Sequence, residues 1–278
     1  MPLRLDGLHY SFGVRRVVSD LTLDVEDSEW LAVIGANGSG RSTLAEIIAG
    51  LRRPQKGRIL FDGQDIWHHS GRPLKRRLGL VMQRAEDQFL GETVFDDVAF
   101  GPSQTSEDEV HIELAVRRAL ELVDFDLTEI RSRSPLEFSG GQRRRLAVAG
   151  LLALDPSILI LDEPFAGLDG QARLDMTNLL LRLQERRGMT ILTLTSDIDM
   201  VADASRLALL VGGEIGLVGD IRDFVANQRL CKEAGVVLPE PIRIALQLRE
   251  RGWNVPVLAG EGVLEAAIAS EWRVHRGA

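Results

Sequence analysis

The sequence predicts a mixed α/β fold with a parallel core sheet, an N-terminal antiparallel β subdomain and an inserted helical subdomain. Three observations predict it. WLAVIG, LGLVMQ, SILILD and TILTLTS are continuous runs rich in Ile, Val and Leu, and strands buried on both faces of a parallel sheet read that way. Helical patterns separate these runs, and the first third of the chain alternates with period two instead. Between Ala85 and Ala153 no strand pattern occurs.

Taken in order, Leu3 and Leu5 alternate with Arg4 and Asp6, and Leu21, Leu23 and Val25 alternate with Thr22 and Asp24. GRILFDGQDI holds Asp62-Gly63 between short apolar runs, a hairpin signal. Leu44, Ile47, Ile48 and Leu51 share one helical face before a stop centred on Gly50. SEDEVHIELAVRRALELVDF is a helix whose acidic start suits the macrodipole. LAVAGLLAL suits a buried helix, and Leu174, Leu179, Leu181 and Leu183 sit in another that ends near Gly188. After residue 225 the sheet pattern stops. LPEPIRIALQLRERG begins with prolines and becomes an amphipathic helix carrying Ile242, Ala245, Leu246 and Leu248. The expected division is a main domain over 1–225, with residues 85–153 inserted, and a helical extension over 226–278.

A chain of 278 residues, 45% hydrophobic, builds an ample core. The net charge of −8 argues against a nucleic-acid groove. Arg143-Arg144-Arg145 and Lys75-Arg76-Arg77 read as solvated helix faces. The single cysteine, Cys231, excludes an internal disulfide, fits a reducing compartment and reads as a filler. MPLRLDGLHYSF lacks the apolar stretch and cleavage site of a secretory signal, and no run of uninterrupted apolar residues is long enough to span a membrane.

The chemistry begins at Gly35-Ala36-Asn37-Gly38-Ser39-Gly40-Arg41-Ser42-Thr43. It has the G-x-x-x-x-G-K-[ST] spacing except for its basic residue, and it follows a strand and opens a helix. The glycines let backbone N–H groups converge on an anion, and the helix N-terminus adds partial positive charge. This is the phosphate loop of a P-loop NTPase, with the Ser42 hydroxyl suited to Mg²⁺. SILILDEP sets two carboxylates at a buried strand end. Asp162 fits the residue that holds Mg²⁺ through water, and Glu163 fits a general base for the attacking water. Ser139-Gly140-Gly141-Gln142 opens a helix and so offers a second anion-binding N-terminus.

SGGQ, then a basic stretch, then a hydrophobic strand ending in DEP, resembles the nucleotide-binding subunit of ATP-binding cassette (ABC) transporters over residues 3–225. The resemblance implies ATP and Mg²⁺ as ligands. It implies that Phe12, with Tyr10 as runner-up, stacks on adenine. It implies that Gln83 reaches Mg²⁺ and the attacking water and senses the membrane subunit, and that Ala166-Gly167-Leu168-Asp169 communicates across a dimer. Two such subunits sandwich two nucleotides, each between one phosphate loop and the other subunit's SGGQ. EDQFLGETVFDDVAFGP, residues 86–102, and LPEPIRIALQLRERG resemble the ATPase subunits of energy-coupling factor (ECF) importers, including the cobalt and nickel type, whose C-terminal helix helps hold the dimer.

Two positions depart from the family pattern. Arg41 stands for lysine; its longer, planar fork does not simply replace a compact ammonium between the β- and γ-phosphates. Ser196 stands where the family has a histidine on the γ-phosphate, and offers one uncharged hydroxyl. Losing one well-placed donor to developing charge typically costs about 10²–10³ in rate, and effects within one site do not multiply. The expectation is an ATPase subunit at the cytoplasmic face of the cell membrane, peripheral to it. It would be coupled to a transmembrane subunit and indirectly to a membrane substrate-binding component. A second, different ATPase chain would complete the pair, and no nucleic acid is a partner. The alternatives are a non-hydrolysing regulatory ATP-binding subunit and a soluble ABC protein not tied to transport.

Overall fold

The computed structural model describes residues 3–258 and 261–276; the remaining positions of the expected 1–225 and 226–278 units lie outside the described residues. Strands β1 (Leu3–Phe12), β2 (Arg15–Val25), β4 (Lys56–Phe61) and β5 (Gln64–Asp65) form an antiparallel sheet in the order β2-β1-β4-β5. Leu3, Leu5, Leu21, Leu23 and Val25 are buried and Arg4 and Thr22 are exposed, as period two requires. Phe61 pairs with Gln64 across Asp62 and Gly63, whose φ values of 48° and 76° give the two left-handed residues of a tight hairpin.

The second sheet contains β3 (Trp30–Ile34), β6 (Leu78–Val81), β7 (Ile158–Asp162), β8 (Thr190–Thr195), β9 (Arg206–Val211) and β10 (Glu214–Gly219), in the order β10-β9-β3-β8-β7-β6. It is parallel from β9 to β6, with β10 antiparallel at the edge. The four apolar runs are β3, β6, β7 and β8, and every residue in them is buried. Three threonines in β8 are buried because each is hydrogen-bonded. Thr190 Oγ1 accepts from Ser28 N–H, Thr193 Oγ1 accepts from Trp30 Nε1–H, and Thr195 Oγ1–H donates to Glu163.

Alternate residues of this sheet face two different cores. Leu31, Val33, Ile158, Ile160, Leu192 and Leu194 pack with α1 (Arg41–Ile48) and the antiparallel sheet. Ala32, Ile34, Leu159, Leu161 and Ile191 pack with the helical stretch α2 (Val94–Ser103), α3 (Glu109–Leu122), α4 (Leu127–Ile130) and α5 (Gly140–Leu152), and with α6 (Gly170–Arg187). Asp108 caps α3 by accepting from Val110 N–H at 3.0 Å. Leu51 lies past the end of α1 and Leu174 on the outer face of α6; both are exposed, while Met176, Leu179, Leu180 and Leu183 form the buried face.

Past residue 225 the packing is continuous. Helices α7 (Ile221–Ala226), α8 (Gln228–Glu233) and α9 (Glu240–Glu250) send Phe224, Cys231 and Ile242 into the same core as α2–α6, and the link between α8 and α9 adds Val236 and Leu238. Ala245 and Val255 join Leu264 of α10 (Glu261–Arg276) in a small separate cluster. Among the described residues no helix is long and apolar enough to cross a membrane. Arg76 and Arg77 are exposed, but Arg143-Arg144-Arg145 is not a solvated face: Arg144 is 7% exposed and bonded to backbone carbonyls.

Candidate functional site

Parallel strands end together, so their C-terminal residues share one edge of the sheet. Ile34 lies opposite Thr195, Asp162 opposite Leu194 and Val81 opposite Leu161. Gly35, Gln83, Glu163 and Ser196 therefore leave the sheet from the same edge. Two of the loop's glycines are needed by its path. Gly40 caps α1 at φ 100°, where a Cβ would stand 2.6 Å from Val17 Cγ1. Gly38 at φ 79° faces open space, with nothing within 4 Å of where its Cβ would be. The loop borders a cavity of ≈ 220 Å³ lined by Phe12, Arg15, Gly38, Arg41, Ser42 and Thr43 among others. Gly35 N–H donates to Thr195 O at 3.3 Å, which ties the start of the loop to the end of β8, and Ser39 N–H donates to Ala36 O at 3.0 Å, which turns the loop.

Phe12 ends β1 and is 47% exposed at the mouth of this cavity. Tyr10 meets it edge-on, at 5.2 Å between centroids. The Arg52 guanidinium lies 5.1 Å from the Phe12 centroid, and it is tied to Glu46 of α1 at 2.7 Å and to the Tyr10 hydroxyl at 2.9 Å. The aromatic at the cavity mouth is thereby braced against the helix that the phosphate loop opens.

Asp162 is buried at the end of β7, close to the Ser42 hydroxyl. Burial pushes its pKa up, the nearby Ser42 hydroxyl offsets part of this, and the Glu163 and Arg41 charges act in opposite directions. Its Oδ1 is buried without a hydrogen-bond partner. A bare buried carboxylate oxygen beside a hydroxyl at the mouth of a phosphate loop fits Mg²⁺, which takes one or two protein oxygens and leaves the rest of its shell to water and phosphate. Among the described residues no group of three or more His, Cys, Asp or Glu could hold a metal unaided.

Glu163 adopts φ 48°, which costs a non-glycine residue of order 1–3 kcal/mol and persists only where surroundings enforce it. Here they do. Glu163 N–H donates to Leu194 O at 2.8 Å, and its own carbonyl accepts from Arg144 Nη1–H. The turn aims the carboxylate back at β8. Oε2 accepts from Thr195 Oγ1–H and Oε1 from Ser196 N–H, both at 3.0 Å. So Ser196 reaches the site through its backbone, while its side chain is exposed.

Arg41 does not project into the cavity as a free cation. It is 7% exposed, and its fork turns under the loop. Nη1–H donates to the Gly35 and Ala36 carbonyls, the latter at 2.7 Å. Nη2–H donates to Asn37 Oδ1 at 3.3 Å and forms an ion pair with Glu163 Oε1. The structure thus joins Arg41, Ser42, Asp162, Glu163, Thr195 and Ser196 in one cluster.

Gln83 is exposed past β6 and is reached through its backbone: Arg144 Nη2–H donates to Gln83 O at 2.7 Å and to Ala166 O at 3.5 Å. Ser139 to Gln142 lies on a different helix end. Ser139 Oγ accepts from Gln142 N–H at 3.3 Å and Gln142 Oε1 accepts from Ser139 N–H at 3.0 Å, a reciprocal capping box. The sequence reading missed Arg144 and Thr195. The signal for Thr195 was a hydroxyl at the last position of an apolar strand, and Arg144 carried none beyond its place after SGGQ.

The ABC transporter family model matches residues 18–166, more than half of the chain. The chain is 40% identical over 244 residues to the energy-coupling factor transporter ATP-binding protein EcfA2 of Symbiobacterium thermophilum, covering 87% of this chain and 84% of the relative. It is 34% identical over 264 residues to EcfA2 of Caldanaerobacter subterraneus, covering 92% of each. Among solved structures it resembles CbiO1 of Clostridium perfringens, part of the ABC transporter complex CbiONQ, with a TM-score of 0.75, 30% identity and coverage of 89% and 98%. The phosphate loop, the acidic strand end and these likenesses agree: the chain belongs to the ABC transporter family, in the branch of the energy-coupling factor ATPase subunits.

Proposed function

We propose that this chain binds and hydrolyses ATP as a peripheral subunit at the cytoplasmic face of the membrane, energising an ECF-type importer as one half of an asymmetric ATPase pair. The observation that carries the reading is Glu163 beside Asp162 at the strand edge, with its carboxylate held by Thr195 and Ser196 next to a phosphate loop. In this reading Phe12 stacks on adenine and the loop Gly35 to Thr43 takes the phosphates through those N–H groups not already bonded within the fold. Ser42, Asp162 and Gln83 hold Mg²⁺, which when bound neutralises charge on the phosphates. Glu163 receives the proton of the attacking water. Ser139-Gly140-Gly141-Gln142 completes the nucleotide site of a second ATPase chain, and a transmembrane coupling subunit with its substrate-binding component receives the motion.

The asymmetry rests on Arg41 and Ser196, which together leave this chain's own loop as the weaker site. The test is to purify the chain with its partner and compare phosphate release after Glu163→Gln here and after the matching change there. The expected result is the smaller loss from Glu163→Gln here; equal losses sink the asymmetry. Arg41→Lys with Ser196→His is expected to raise turnover, and flat turnover counts against a weakened site. The ion pair between Arg41 and Glu163 also favours a second reading, a regulatory subunit that binds ATP without hydrolysing it. Nucleotide binding with no phosphate release when only the partner's site is disabled would select that reading.

A further inference from the structure

Arg41 and Glu163 are 122 positions apart in sequence and form a buried ion pair at the centre of the candidate site. The carboxylate of Glu163 also accepts from Ser196 N–H and Thr195 Oγ1–H, so three donors converge on its two oxygens. A base must offer a lone pair to water, and Arg41 occupies the side of Glu163 that faces the loop. The guanidinium has four hydrogen bonds through Nη1 and Nη2, while its buried Nε–H has no partner among the described contacts. A buried donor without an acceptor is costly, and a guanidinium prefers the forked, doubly charged geometry that phosphate oxygens supply.

We propose that Arg41 is a positioning residue that exchanges partners, holding the Glu163 carboxylate until phosphate oxygens of a nucleotide in the loop draw the guanidinium away. Binding and release of the base are then one event, and an ammonium with no fork could not bridge the loop carbonyls and the base together. This rests on the nucleotide-site reading above. No bond is made or broken; one ion pair is traded for another. The trade lowers affinity for nucleotide by the strength of the pair that must be given up.

The test uses the full chain, at concentrations where it is monomeric, with a non-hydrolysable ATP analogue and Mg²⁺. Dissociation constants are measured for the unchanged chain, Glu163→Gln, Arg41→Met and the double variant, and urea unfolding of the same four is followed without nucleotide and at saturating analogue. Glu163→Gln is expected to tighten binding by ~10-fold or more, a factor worth about 1.4 kcal/mol. In the Arg41→Met background it is expected to change binding less than about 2-fold, because the pair to be given up is already gone; uncoupled sites would show the same factor in both backgrounds. The unfolding cycle is expected to couple the two positions without nucleotide and to lose that coupling at saturating analogue. An equal effect of Glu163→Gln in both backgrounds, or no coupling in unfolding, overturns the exchange. Should Arg41→Met not fold, Arg41→Lys is the second background, with the same expectation. Absence of nucleotide binding in all four chains overturns the proposed function instead, and the unfolding cycle then decides the pair by itself.

Discussion

Arg144 shows how much one side chain can fix. Its guanidinium gathers the carbonyls of Gln83, Glu163 and Ala166, which belong to two loops at the sheet edge, one after β6 and one after β7. The left-handed backbone of Glu163 is one of the things it enforces. Arg144→Ala removes three charge-assisted hydrogen bonds, one of them buried, so a stability loss of about 2 kcal/mol or more is expected in urea unfolding. If Arg144 positions the base, Arg144→Ala also lowers kcat more than it raises KM, and Arg144→Lys restores stability better than it restores kcat. A purely structural role would move stability alone. Nothing in the sequence distinguished Arg144 from Arg143 and Arg145, because a run of three like charges has no periodicity to betray which of them points inward. The partner of Arg41 was equally hidden, since an ion pair across 122 positions depends on where two strands end and not on local spacing.

At the scale of elements, the phosphate loop, the buried strands and the Asp62-Gly63 hairpin were legible because each rests on a local rule: glycine spacing, unbroken apolar runs, a turn needing two positive φ values. Strands β9 and β10 were not read as elements. RLALLV resembles any short apolar run, and EIGLVG alternates exposed and half-buried residues on an edge, where tertiary pairing decides. Leu174 was read only as one of the leucines of its helix; it is exposed, and the buried face that includes Met176 and Leu180 is revealed by the packing of α6 against the sheet. The capping box of α5 gives a prediction at this scale. Ser139→Ala removes a cap, and ~1 kcal/mol of stability is expected to go with it in urea unfolding of the chain alone.

For the whole molecule, the six-stranded sheet divides two cores, and the candidate site lies where its strands run out between them. A ligand bound there stabilises the entire fold. ATP with Mg²⁺ at a hundred times the dissociation constant adds about 2.7 kcal/mol to unfolding, which a thermal melt registers as a rise of several degrees. Mg²⁺ alone is expected to leave the melt unchanged, because Asp162 and Ser42 give it too few protein oxygens. A rise with Mg²⁺ alone would point to a metal site independent of nucleotide. The self-satisfied Ser139 to Gln142 turn carries the last consequence. In the proposed sandwich, a phosphate that takes the Gln142 N–H displaces a hydroxyl already bonded to it. Such an exchange is close to neutral in hydrogen-bond energy. Closure of the pair then draws its driving force from charge on the nucleotide, and departure of the terminal phosphate leaves each surface able to heal its own hydrogen bonds and part.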